Sequence, residues 1–197
     1  MPSHQEIIEI LRSFAHQTEV ERVDEAVHAL RPFGEATVLA MADALDDPDA
    51  YVRVMALEVL YEWNGDTEPA LPATIRALDD PDRIVRICAA SVVSQHVEKA
   101  SAAVPPLLKW IDGDDEHSRM TAAALIVKID PTRHDQTLAV LAEGMESDDS
   151  AIRFLVAWLL SGLRDESPES RPLLQQMLGH EDEFVREVMK DQIEFVF

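Results

Sequence analysis

Chemistry on a substrate needs nucleophiles, acids or metal ligands at workable spacing, and this sequence offers few. His180-Glu181 forms one His-Glu pair, and His117 follows Glu116 in the reverse order. A four-ligand iron shell cannot be assembled from these. His4, His16, His28, His96 and His134 show no His-x-x-x-His spacing and read as surface residues. Cys88, the lone cysteine, lies between Ile87 and Ala89 with no motif to activate it, so it reads as a packed thiol. A glycine-rich phosphate loop and a Gly-x-Ser-x-Gly elbow are both missing. The expectation is a chain without catalytic residues, metal or cofactor.

What recurs instead is a charged turn. Leu45-Asp46-Asp47-Pro48-Asp49-Ala50-Tyr51-Val52-Arg53 returns as Leu78-Asp79-Asp80-Pro81-Asp82-Arg83-Ile84-Val85-Arg86. More worn copies run from Ile111 through Asp112, Asp114 and Asp115 to Arg119, from Met145 through Asp148 and Asp149 to Arg153, and from Leu178 through Asp182 to Arg186. The arginines Arg53, Arg86, Arg119, Arg153 and Arg186 are 33, 33, 34 and 33 residues apart. Such a period marks a repeat architecture.

Each unit reads as two helices joined by the acidic turn. Before it, Val38, Met41 and Leu45 recur at helical spacing as Val104, Leu107 and Ile111 and as Leu138, Leu141 and Met145. Pro72, Pro105 and Pro172 stand near the start of this first helix, where a missing N–H costs least. After the turn, Val52, Ala56, Val59 and Leu60 recur as Val85, Ala89, Val92 and Val93 and as Ile152, Val156, Leu159 and Leu160. The turn aspartates Asp49, Asp82, Asp115, Asp149 and Asp182 are placed to cap the second helix. Trp63 and Trp110 fall in apolar columns and read as core. Residues 1–33 form a degenerate first pair, followed by repeats at 34–66, 67–99, 100–132, 133–166 and 167–197, in one all-α domain of about six helix pairs.

The 197 residues carry 17 basic and 38 acidic side chains, a net charge of −21, yet 47% are hydrophobic, enough to bury a core. That charge repels phosphate, which disfavours direct nucleic-acid binding and anionic membranes. No membrane span or signal peptide is evident, and a cytoplasmic location is expected. With 19 Asp, 19 Glu and 13 Arg against only 4 Lys, the composition also suits a salt-loving source.

The succession Pro-x-x-Leu, Asp-Pro-Asp-x-x-Val-Arg and an alanine-rich helix resembles the short bacterial HEAT repeats, including those related to phycobilisome lyase subunits. The resemblance covers roughly residues 34–197. It implies a right-handed superhelix whose second helices line a concave face, a role in binding proteins, and arginines that pair with turn aspartates as a ladder between repeats. HEAT-type deoxyhypusine hydroxylases hold two irons with several His-Glu pairs, and HEAT-like alkylpurine glycosylases need a basic groove; this chain has neither feature.

In such a repeat the residue after each arginine faces the concave side and is often charged. Here that column reads Val54, Ile87, Met120, Phe154 and Glu187, the next includes Met55 and Leu155, and one turn further lie Glu58 and Trp158. These residues are expected to form an apolar partner-binding strip, unless superhelical curvature buries them between repeats. Asp46, Asp47, Asp79, Asp80, Asp112, Asp114, Asp148 and Asp149 would line the ridge beside it and suit a cationic protein. The reading is a monomeric or weakly oligomeric binding module for a basic protein, with an inhibitor or immunity protein among its forms. The alternatives are a phycobilisome lyase-like accessory subunit and a general scaffold in a halophilic cytoplasm.

Overall fold

The computed structural model describes residues 3–17 and 21–163, the last three by backbone alone, together with positions 175, 176, 178–181, 183, 186 and 187. Ten α-helices and no strands are found among the described residues. The chain groups into two compact units, Met1–Ala103 and Val104–Phe197.

The first unit holds α1 (His4–Ala15), α2 (Arg22–Leu30), α3 (Glu35–Ala44), α4 (Ala50–Glu62), α5 (Leu71–Ala77) and α6 (Arg83–Ser94). First helices α1, α3 and α5 pack in one row, second helices α2, α4 and α6 in another, and each pair closes across the rows. In the second unit α7 (Val104–Ile111) packs on α8 (Glu116–Ile129), α9 (His134–Met145) on α10 (Ser150–Leu163), and α8 on both α9 and α10. The sixth pair expected at 167–197, with Pro172 and Asp182, falls largely outside the described residues.

The apolar columns fill the space between rows. Val38, Met41, Val52, Ala56, Val59 and Leu60 are at most 1% exposed, and so are Val85, Ala89, Val92, Val93, Val156 and Leu160. Each valine, leucine or methionine among them contributes about 1.5–3 kcal/mol of burial energy, and the alanines less. Trp110 is buried as expected, whereas Trp63 is half-buried at the end of α4.

The turns work as the sequence implies. Asp49 accepts from the Tyr51 N–H at 2.9 Å, Asp82 from Ile84 at 2.8 Å and Val85 at 3.2 Å, Asp115 from Ser118 at 3.0 Å, and Asp149 from Ala151 at 2.8 Å. Each carboxylate meets otherwise unbonded N–H groups at the positive end of its helix. Pro72 and Pro105 occupy the second positions of α5 and α7.

Two glycines are needed where they stand. Gly34 precedes α3 with φ +56°, a left-handed conformation that costs other residues energy. Gly144 of α9 lies so close to α8 and α10 that a Cβ there would approach Met120 Sδ to 2.3 Å and Val156 Cγ2 to 2.8 Å.

Gly144→Ala is therefore expected to overpack the α8–α9–α10 contact and destabilise the fold by about 1–3 kcal/mol in denaturant titrations. Asp82→Ala should cost about 1 kcal/mol by removing the α6 cap, and Asp82→Asn should retain most of it.

Candidate functional site

The arginine column is built from the turns upward. Arg53 Nη1 donates to the carbonyls of Asp47 at 2.9 Å and Pro48 at 3.3 Å, and Arg86 Nη1 makes the equivalent bonds to Asp80 at 2.9 Å and Pro81 at 3.1 Å. Arg153 reaches the Ser147 carbonyl at 2.7 Å, and Arg186 those of His180 and Glu181. The recurrent contact is thus with the arginine's own turn, five and six residues back. Of the expected pairings with a turn aspartate of the arginine's own or the neighbouring repeat, Arg53 makes one to the neighbour, its Nε and Nη2 each donating to Asp80 at 2.8 Å. Arg119 departs from both patterns, donating to the Ile111 carbonyl at 3.2 Å and to Glu143 at 2.8 Å.

These contacts divide the acidic ridge. Asp46, Asp79, Asp112, Asp114, Asp148 and Asp149 are exposed, whereas Asp47 and the half-buried Asp80 turn inward. Asp80 is drawn in by Arg53, and Asp47 by Arg12 of α1 at 2.6 Å; each also accepts the N–H of the capping aspartate two residues on. They are structural braces of the turn and do not project from the ridge.

None of His4, His16, His96 and His134 is buried, in keeping with their reading as surface residues, yet each has a partner. His4 lies 2.6 Å from Asp43, His16 2.7 Å from Asp49, His96 2.7 Å from the Thr67 hydroxyl and His134 3.2 Å from the Val127 carbonyl. His4, Arg12 and His16 together clasp α1 onto the acidic side of α3 and its turn. Sequence reading passed over this clasp because it has no counterpart in the later repeats. The Asp49 carboxyl is held below its usual range, mainly by the Tyr51 N–H and secondarily by His16. His180 of the His-Glu pair lies 3.2 Å from the Met145 carbonyl. No group of three or more His, Cys, Asp or Glu able to hold a metal occurs among the described residues.

The apolar columns on the second helices differ by position. Met55 (0%) and Met120 (1%) are buried and cannot themselves present a binding surface: α2 packs over α4 at Met55, and Met120 fills the space left by Gly144. In the first unit Val54 and Ile87 are half-buried. In the second, Phe154 (40%), Trp158 (58%) and half-buried Leu155 lie on the outer side of α10, whose inner face buries Ile152, Val156 and Leu160.

A cleft of about 450 Å³ opens across α2, α4 and α6. Val23, Leu57 and Tyr61 supply its apolar wall, Asp24, Glu58 and Glu62 its carboxylates, and Cys88 and Ser91 its α6 side. Glu58 is held by Arg22, with Nη2 2.9 Å from Oε2 and 3.0 Å from Oε1. Burial, reinforced by the Glu58 charge, pushes the Cys88 thiol up to about 11.

Helix pairs joined by a capped turn, with an arginine folded back onto that turn, define an α-helical repeat protein. The HEAT repeats match over residues 38–127 and 104–191, and the chain belongs to that family. Solved structures of similar fold include a designed armadillo repeat protein in complex with peptide (KR)4, 17% identical, with TM-score 0.59 over 96% of this chain and 98% of that one. A computationally designed armadillo repeat protein for modular peptide recognition is 16% identical, with TM-score 0.56 over 95% of this chain and 98% of that one. The CpcE–CpcF complex of phycocyanin lyase from Nostoc sp. PCC7120 is 20% identical, with TM-score 0.59 over 96% of this chain and 75% of that one. At these identities the likeness concerns the fold, an all-α helical-repeat solenoid. No functionally curated protein matches the chain in sequence. No helix among the described residues is long and apolar enough to cross a membrane.

Because its neutral form is favoured by burial, native Cys88 is expected to react with iodoacetamide at pH 8 at least tenfold more slowly than in the urea-unfolded chain. The native rate should climb as pH approaches 11, as mass spectrometry of the quenched protein would show.

Proposed function

We propose that this chain is a non-enzymatic protein-binding module that holds a cationic protein through the faces of its second helices. The observation that carries the reading is α10, where Phe154 and Trp158 stand one turn apart and exposed on a helix whose opposite side is packed. Exposed aromatics at that spacing supply the central burial that dominates interface energy. Charge supports the choice of partner. The net charge is −21, and Asp112, Asp114, Asp148 and Asp149 of the same unit lie open to solvent, a field that steers cations inward and repels nucleic acid. A designed repeat protein of similar fold was solved with the basic peptide (KR)4, which agrees with that chemistry.

The finer form of the proposal is a cytoplasmic, monomeric or weakly associating inhibitor or immunity protein that covers a basic effector. An accessory role in bilin attachment or removal competes with it through the fold shared with the phycocyanin lyase pair. Capture from native lysate separates the two, since one predicts a basic protein and the other a phycobiliprotein.

The deciding variant is Phe154→Ala with Trp158→Ala. Both side chains are exposed, so melting should shift by only a few degrees. Affinity for the captured protein should fall at least tenfold, and the wild-type association rate should fall as salt rises. Normal binding by the double variant would remove α10 from the site, and an acidic captured partner would overturn the electrostatic reading. Val156→Ala, in the packed face of α10, should lower the melting temperature.

A further inference from the structure

Glu58, on the wall of the cleft across α2, α4 and α6, is already paired with a cation of the chain itself. Arg22 sends its guanidinium onto both oxygens of Glu58 and lies with Nη1 3.6 Å from Met55 Sδ, so a cation with an apolar stem rests between a carboxylate and a thioether. Asp24 and Glu62 also line the cleft and have no ion pair with any described residue, and Glu62 stands one helical turn after Glu58 on α4. Three carboxylates against one resident cation leave about two negative charges at the opening, beside the apolar wall of Val23, Leu57 and Tyr61.

Long basic side chains need both features. The methylene stem must cover apolar surface, and the head must find carboxylates. A guanidinium suits the site better than an ammonium, because its planar fork can bridge two carboxylates while its weaker hydration lowers the cost of entry.

We propose that this cleft seats one arginine side chain of the partner, which takes Glu58 from Arg22 and bridges it to Glu62. The proposal rests on the reading of a cationic partner and adds its seat and a built-in competitor. In the free protein Arg22 holds the position, so that only a segment bringing a second cation displaces it.

The test uses the full chain and a fluorescently labelled octapeptide of alternating lysine and arginine, read by anisotropy at low salt. Asp24→Asn with Glu62→Gln should weaken binding about tenfold. Glu35→Gln with Glu98→Gln, which removes the same charge from exposed residues outside both the cleft and the acidic ridge, should change it less than twofold. Arg22→Gln should tighten binding at least threefold by freeing Glu58. Arg76→Gln, an equal loss of positive charge at an exposed residue of α5, should leave it unchanged. Replacing every arginine of the peptide by lysine should weaken wild-type binding severalfold. All the altered residues lie at or near the surface, and thermal melts verify that each variant is folded.

If Arg22→Gln matches Arg76→Gln, or the two double variants lose equally, the peptide is held by diffuse charge and the seat is refuted while the cationic-partner reading stands. If the wild-type chain fails to bind the peptide at all, that reading falls too. An all-lysine peptide that binds as well as the mixed one removes the bridging guanidinium.

Discussion

Where a helix pair bends, the carbonyls of the connecting turn and the N–H groups at the start of the second helix lack partners in either helix, and here both are satisfied within one short stretch. An aspartate takes the N–H groups, and the arginine four residues later gives its guanidinium back to the carbonyls. At Arg53 and Arg86 the two carbonyls belong to the second aspartate and the proline of the Asp-Asp-Pro-Asp motif. Opposite charges at fixed spacing are thus mainly a device of local geometry, and their recurrence keeps successive pairs alike enough to stack.

The first helix pair lacks this device. It has no acidic turn of its own, yet the turn after α3 still has carboxylates to satisfy. Arg12 and His16 of α1 supply that side, while His4 meets Asp43, so α1 is tied by charge as well as by buried Ile7 and Leu11.

The period, the capping aspartates and the buried faces could be read from spacing alone, since each is a local pattern repeated several times. The arginines' partners could not. A column records where a side chain begins, and whether its guanidinium reaches a carboxylate or a carbonyl depends on how the turn folds beneath it. Met120 shows a second limit. Its column neighbour Phe154 is exposed, but Met120 is buried because Gly144, in another helix, leaves room for its sulfur. The ridge is not a uniform feature because Asp47 and Asp80 turn inward as braces of their turns, held by Arg12 and Arg53 and by the N–H of the capping aspartate two residues on. The cleft on α2, α4 and α6 was hidden because Arg22 and Asp24 lie in the degenerate pair, where no repeat column draws attention to them.

The turn closure also bears on the order of events in folding. Its bonds join residues separated by six positions or fewer, so the loop entropy spent in making one is small. A turn of this kind can form while the rest of the chain is still extended, and it aligns two apolar stripes before either has found a lasting partner. Proteins dominated by such near-neighbour contacts tend to order quickly. In this chain several turns offer similar starting points, so loss of any one of them need not block the others, and growth can spread outward from whichever pair closes first.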